Sequence, residues 1–99
     1  MPYQILLSEE AEIHLQFLTA RDQRIVIDGI EDQLLYQASV PTRNRQPMRP
    51  NDIATWKLRI GNLRVYYDIE EEPEPIVQIL AIGVKERNQV RIGDRYLEL

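Results

Sequence analysis

Two alternating segments joined by a two-residue turn constrain the fold more than any other feature of this sequence. Apolar and polar residues alternate along 56–60 and again along 63–69. The dipeptide Gly61-Asn62 between them is typical of a two-residue β-hairpin turn. The sequence therefore predicts an antiparallel hairpin in which Arg59 faces Arg64 and Lys57 faces Tyr66.

This register divides the hairpin side chains between two faces of the predicted sheet. A slip of one residue would exchange the faces, so the alternation itself fixes the register. One face carries polar residues, which we expect to be exposed: Lys57, Arg59, Arg64 and Tyr66. The other face is apolar and is expected to pack against helices: Trp56, Leu58, Ile60, Leu63, Val65, Tyr67 and Ile69.

Two amphipathic helices are predicted before the hairpin, after a short strand at 3–7. Ser8 is a good N-cap for the first helix, whose apolar positions include Ile13 and Phe17. His14 falls in the same apolar arc and is expected to be a packed side chain. The second helix is predicted from about Asp22 to about Ala38. Gly29 in its middle suggests that another part of the backbone approaches closely.

The remaining segments complete an α+β fold. Residues 39–53 contain three prolines and are expected to form a basic loop. Residues 76–84 are apolar at nearly every position, as in a central strand, and Gly93-Asp94 could turn a second small hairpin in the tail. The predicted fold is β-α-α-β-β-β, with a helical hairpin on one face of an antiparallel sheet and a short C-terminal tail.

Composition limits the chemistry that the chain can perform. Its 99 residues suit a single domain over 1–99. There is no cysteine and one histidine, which excludes disulfides, thiol catalysis and a zinc site of Cys and His ligands. No segment has the apolar length of a membrane span or the pattern of a signal peptide. We expect a cytoplasmic protein without a cofactor, a metal or membrane association.

Charge is segregated along the chain although the net charge is −4. Residues 1–42 hold two basic and seven acidic side chains, whereas residues 43–67 hold six basic side chains and one acidic one. Such segregation produces a strong local field that the net charge hides. A phosphate-rich or acidic partner is therefore expected for the basic segment.

The facing pair Arg59 and Arg64 allows two interpretations. Like charges across a ladder are unfavourable, so carboxylates such as Asp68 and Glu70 could neutralise them. Alternatively, the pair binds an anion in function, because guanidinium groups match phosphate geometry. The residues by themselves do not favour either interpretation.

The hairpin and the strand after it resemble a known family. The segment 56–67, Trp-Lys-Leu-Arg-Ile-Gly-Asn-Leu-Arg-Val-Tyr-Tyr, is similar to the central hairpin of the RelE/ParE superfamily of bacterial toxins. The segment 81–90, Ala-Ile-Gly-Val-Lys-Glu-Arg-Asn-Gln-Val, resembles the superfamily's last core strand and the basic turn after it. The resemblance implies a toxin that a cognate antitoxin neutralises.

The RelE branch cuts mRNA on the ribosome without a metal, and the resemblance transfers its residues position by position. It implies three catalytic residues: Lys57, Arg64 and Arg87. It also implies that Arg49 and Lys85 bind RNA phosphates, and we expect Arg59 and Arg91 to be further phosphate-binding residues. Two positions depart from the RelE pattern, because Thr55 stands at a lysine position and Arg91 at the tyrosine position. Tyr66 is the candidate replacement for the missing acid/base.

The departures keep a second function open. The ParE branch inhibits DNA gyrase and lacks the nuclease residues. The alternative is therefore a non-enzymatic ParE-like inhibitor, or a catalytically inactive relative that binds an acidic protein partner. The cut site, the target and the antitoxin's identity and stoichiometry do not follow from the sequence.

Overall fold

The secondary structure contains every element that the sequence predicts, together with three further strands. The structure is a computed structural model that describes residues 2–99. Within that range it has two helices, α1 Glu9–Gln16 and α2 Ala20–Leu34. The strands are β1 Gln4–Leu7, β2 Arg45–Pro47, β3 Trp56–Ile60, β4 Leu63–Glu70, β5 Ile76–Glu86, β6 Gln89–Ile92 and β7 Arg95–Leu97.

All seven strands belong to one sheet. The order β2-β3-β4-β5-β6-β7 is antiparallel throughout, and β1 pairs in parallel with β5. The parallel pair departs from the purely antiparallel sheet predicted from the sequence. It is possible because the helices and three strands lie between β1 and β5, and a parallel pair needs such a long connection. β6 and β7 form the second hairpin suggested by Gly93-Asp94.

The central hairpin has the predicted register. Arg59 pairs with Arg64, Lys57 with Tyr66 and Trp56 with Tyr67. Gly61 in the turn has a φ of +59°, which residues other than glycine rarely adopt. The register of this hairpin is therefore confirmed.

The helices begin at capping side chains. The Ser8 hydroxyl accepts a hydrogen bond from the Ala11 N–H at 3.0 Å, as predicted. Thr19 caps α2 by accepting a hydrogen bond from the Asp22 N–H at 3.1 Å, so α2 begins earlier than predicted. It also ends earlier, at Leu34. Gly29 accommodates the side chain of Ile60 on β3, which occupies the space that a Cβ would need. A side chain, not a second backbone, explains this glycine.

The helices cover the apolar face of the hairpin and form the main core. Val26, Ile30 and Leu34 of α2 pack with this face. Ile13 of α1 and Phe17 at its C-cap, expected to widen the buried stripe, are instead 52% and 48% exposed. Neither helix of residues 2–99 is long and apolar enough to cross a membrane.

The opposite face of the sheet carries a second core, which the sequence analysis did not predict. Its fully or nearly buried members are Ala54, Tyr66, Ala81, Val90 and Ile92. Partly buried side chains from the loop before β3 and from the tail pack onto it, namely Met48, Ile53, Leu97 and Leu99, together with Leu80 of β5. The expected open polar face is therefore half covered.

Two residues explain how the segments around this second core are held. Gly83 pairs with Ile92, and a Cβ on Gly83 would meet the Arg91 carbonyl oxygen at 2.7 Å, so only glycine permits this approach of β6. Arg45 lies in the loop expected to be basic and exposed, yet it is 3% exposed. Its guanidinium donates to the carbonyls of Val40 and Gln33 and to the Gln33 side chain. Arg45 fastens the loop to α2 and does not contribute to a basic surface.

Candidate functional site

The central hairpin and β5 place four basic residues on the sheet face opposite the helices. Lys57 and Arg59 come from β3, and Arg64 comes from β4. Arg64 pairs with Gly83 of β5, so Lys85, two residues further along that strand, lies on the same face. We call these four residues the basic cluster: Lys57, Arg59, Arg64 and Lys85.

The members of the basic cluster repel one another. Burial lowers the pKa of Lys57 most, and the Arg64, Arg59 and Lys85 cations lower it further. Burial and then Arg59 lower the pKa of Arg64. Within residues 2–99 there is one ion pair, and it joins Arg91 to Glu86, not a member of the cluster to a carboxylate. An anion would relieve this repulsion, because each positive charge favours a bound negative one.

Arg64 is more buried than the sequence analysis expected. It is 8% exposed, and its guanidinium donates to the carbonyls of Gly61 and Leu63, both at 2.9 Å. The expected carboxylate neighbour, Asp68, instead accepts from the Thr55 N–H and hydroxyl at 2.7 and 2.8 Å. Arg64 therefore stabilises the hairpin turn as well as contributing charge. The prediction that it is a freely exposed side chain was wrong.

Tyr66 lies beside the cluster but is fully buried. It shares the face of Lys57 and Arg64, as predicted, whereas its expected exposure was wrong. Its hydroxyl is the one buried side-chain polar atom of residues 2–99 without a hydrogen-bond partner. Leaving such a group unpaired costs about 1–3 kcal/mol. Burial raises the pKa of Tyr66 to about 12, and Arg64 opposes this shift.

A cleft of about 470 Å³ adjoins the cluster at Lys57. One wall is the segment 47–51, which includes Arg49, and the other is formed by Glu98 and Leu99. Asn51 holds the first wall in shape, since its side chain bonds the carbonyls of Arg49 and Ala54 and the N–H groups of Ile53 and Ala54. The cleft therefore brings Arg49 next to Lys57.

The structure does not bring the last two predicted site residues into the basic cluster. Arg87 is exposed in the turn between β5 and β6, with a φ of +57°. Arg91 pairs with Val84, whose side chain belongs to the helix-side core, so Arg91 lies on the other face of the sheet. Its guanidinium donates to the Glu86 carboxylate at 2.8 Å. The expected grouping of Arg91 with the phosphate-binding residues does not match this geometry.

Leu97 and Leu99 of the tail, which pack against the core that contains Tyr66, were not predicted from the sequence. A signal for them was present, because residues 96–99 alternate between polar and apolar types. Such alternation predicts a strand with one buried face. The short length of the segment made this signal weak.

Comparisons with known proteins find similarity at the level of structure. No family model matches the sequence, and no curated protein is similar to it. Among solved structures, a chain of the toxin-antitoxin complex RelBE2 from Mycobacterium tuberculosis is 25% identical, with a TM-score of 0.70 over 86% of this chain and 100% of that one. A chain of the archaeal RelE-RelB complex from Pyrococcus horikoshii OT3 is 21% identical, with a TM-score of 0.68 over 88% of this chain and 99% of that one. The chain is thus a RelE-like protein by fold, which confirms the superfamily resemblance of its sequence.

Proposed function

We propose that this protein is the toxin of a toxin–antitoxin pair and that it cuts mRNA on the ribosome without a metal. One observation carries the proposal: Lys57, Arg59, Arg64 and Lys85 lie on one sheet face, and no carboxylate of the described residues 2–99 forms an ion pair with them. A face of this kind suits a phosphodiester, whose negative charge increases in the transition state. The RelE fold supports the same class of function.

In the proposed reaction the ribose 2′-hydroxyl attacks the adjacent phosphorus. The O2′–P bond forms and the P–O5′ bond breaks, which leaves a 2′,3′-cyclic phosphate and a 5′-hydroxyl. A base takes the proton of the 2′-hydroxyl, and an acid gives one to the departing 5′-oxygen. No oxidant, reductant or further reactant is needed.

In this proposed reaction each residue of the basic cluster stabilises charge or binds a phosphate. Lys57 and Arg64 stabilise the charge that develops on the phosphorane, and Arg59, Lys85 and Arg49 hold neighbouring phosphates. The lowered pKa of Lys57 makes its neutral amine more available than that of an exposed lysine, so it is also the best base on this face. Arg87 in its exposed turn reaches RNA from the edge of the site. Tyr66 is the candidate acid.

We further propose that an antitoxin binds the basic cluster. The two similar structures are of complexes with an antitoxin, RelBE2 and RelE-RelB. A segment with several Asp or Glu residues would complement the cluster and neutralise it. Binding there would also block the entry of RNA and keep the toxin inactive in the cytoplasm.

Primer extension on mRNA from cells that express the protein tests the nuclease. Lys57→Gln removes one positive charge, and within residues 2–99 the Lys57 amine makes no hydrogen bond, so the fold should persist. We expect cuts within translated frames for the wild type and a loss of about a hundredfold or more for Lys57→Gln. Arg24→Gln, an exposed change on α2, is the matched control and should cut like the wild type. Equal cutting by wild type and Lys57→Gln would contradict the assigned role of Lys57.

A second candidate is a non-enzymatic ParE-like inhibitor of DNA gyrase or a catalytically inactive relative. The burial of Tyr66 favours it, because it leaves the exposed face without a tyrosine to act as the acid for the leaving oxygen. Intact mRNA together with persistent toxicity would identify the inhibitor. Intact mRNA and no toxicity, from a folded protein, would identify the inactive relative.

A further inference from the structure

Tyr66, with its unpaired phenol, belongs to a core to which two separate parts of the chain contribute. One part is the loop segment with Met48, Ile53 and Ala54, and the other is the tail with Leu97 and Leu99. We call these two parts the cover. Met48 and Leu99 of the cover also line the cleft that reaches Lys57, so this cleft is the seam between its halves.

We propose that the RNA strand opens the cover at this seam by displacing residues 97–99, and that the uncovered Tyr66 hydroxyl then contacts the reacting nucleotide. This inference rests on the proposed nuclease function and adds a gate to it. In the closed form Lys57, Arg59 and Lys85 are at least partly exposed, while Arg64 and the phenol of Tyr66 are buried.

The tail is the half of the cover that is held more weakly. The loop half is tied by the Asn51 bonds and by the Met48 N–H, which donates to the Thr55 carbonyl at 2.8 Å. The tail half is held by the pairing of β7 with β6, and this pairing ends at Val90–Leu97. Leu97 and Leu99 are only partly buried, so moving them exposes little apolar surface. Few contacts of this kind are typical of segments that open at low cost.

The neighbouring tyrosine, Tyr67, is a buried phenol in the same sheet that has a hydrogen-bond partner. Tyr67 is as buried as Tyr66, but its hydroxyl donates to the Ala38 carbonyl at 2.8 Å. A phenylalanine at position 66 would fill the closed form without leaving a polar group unpaired. Because Tyr66 lies across the ladder from Lys57 and two residues from Arg64, a ribose or phosphate oxygen held by these cations would supply the missing partner.

Two variants test the gate, with cleavage of mRNA on purified, programmed ribosomes as the readout. In Met48→Cys/Leu99→Cys, a short reducible bis-thiol linker would hold the cover shut, and the absence of other cysteines makes the link specific. We expect linking to reduce cleavage about a hundredfold and reductant to restore it. Each single cysteine variant, treated with the same reagent, is the control and should stay far more active than the linked protein, because one attachment does not join the two halves of the cover.

Tyr66→Phe separates a role for the phenol from mere blocking of the cleft. We expect kcat to fall about a hundredfold while KM stays unchanged, since binding depends on the cations and not on the hydroxyl. Wild-type rates for Tyr66→Phe, or for the linked protein, would overturn the gate and leave the nuclease in place. A wild-type protein that never cuts mRNA would reject the proposed function and the gate with it.

Discussion

Polar side chains buried in the sheet have very different surroundings in this protein. Arg45 has three acceptors, Arg64 has two turn carbonyls and Tyr67 has one carbonyl. Tyr66 has none. Because the cost of burying a polar group depends on whether it is hydrogen-bonded, these residues should respond differently to removal of the polar atom.

The two adjacent tyrosines provide a matched pair for stability. Tyr67→Phe removes a made hydrogen bond and leaves the Ala38 carbonyl unpaired, so it should lower the free energy of unfolding by about 1 kcal/mol. Tyr66→Phe removes an unpaired hydroxyl and should raise that free energy by about 1 kcal/mol. Urea denaturation of the two variants measures both changes. A loss of stability in Tyr66→Phe would mean that its hydroxyl is bonded in solution.

Arg64 should now be treated as a structural residue as well as a phosphate ligand. Arg64→Ala removes two charge-assisted bonds to the turn but also relieves repulsion with Arg59. We expect a net loss of about 1–2 kcal/mol, because such bonds outweigh one like-charge contact. Arg59→Ala, at an exposed position on the same face, should change stability by less than about 0.5 kcal/mol. Thermal melting compares them, and an unchanged melting temperature for Arg64→Ala would contradict the burial argument.

At the scale of elements, backbone pairing along one edge of β5 is interrupted, and a side chain hydrogen-bonds to the strand in the gap. β1 pairs with β5 as far as Ile79, and β6 pairs from Gly83 onward. Between them the Ile82 N–H donates to Nδ1 of His14 on α1, at 3.3 Å. This bond requires an unprotonated Nδ1, so α1 is fastened to the sheet by a neutral histidine.

This bond makes stability depend on pH. Burial lowers the pKa of His14 below its usual value of 6.5, and the nearby Glu10 only partly opposes the shift. The unfolded chain therefore takes up the proton at a higher pH than the folded chain. The contribution of neutral His14 to the free energy of unfolding is complete above about pH 6.5. It decreases as the pH falls through the lowered pKa of His14 in the folded protein.

The pH profile of melting temperature checks this expectation between pH 7.5 and 5. As the pH falls across this range, the wild type should lose more stability than His14→Gln loses, because the glutamine amide does not titrate. His14 lines a cavity of about 350 Å³ whose other charged groups are Glu10, Asp52 and Arg95, and both proteins retain them. Parallel profiles for the two proteins would show that His14 is not the titrating group.

At the scale of the whole molecule, the charge pattern matters more than the net charge. The chain has a formal net charge of −4, yet the basic cluster presents several unneutralised cations on one face. Fields from such a face act over about 10 Å at 0.1 M salt. A polyanion should therefore bind this protein even though it is acidic overall.

Heparin chromatography tests whether the basic cluster, and not the net charge, determines binding to a polyanion. The wild type should be retained at low salt, and Arg59→Glu should elute much earlier. Arg24→Glu on α2 changes the net charge by the same amount and should elute close to the wild type. Equal shifts for the two variants would show that only the net charge matters.

Local patterns determined the parts of the fold that depend on near neighbours. The two-residue alternation and Gly61-Asn62 fixed the hairpin register, because any slip would expose the whole apolar face. The Ser8 cap was predictable for the same reason, since its acceptor and donor lie three residues apart. The position of Lys57, Arg59 and Arg64 on one face of the hairpin followed directly from the register.

Only the tertiary structure decided which of these side chains meet solvent. Alternation assigns a residue to a face, but burial depends on what distant segments place over that face. Gly83 lets β6 approach closely, and the tail then covers Tyr66. Arg45 is buried because α2 offers it carbonyl acceptors, and Arg91 lies on the other face because of its pairing with Val84. The tail is far in the chain from Tyr66, and Arg45 lies in a different element from its acceptors on α2, so no local pattern of residues could have revealed these two contacts.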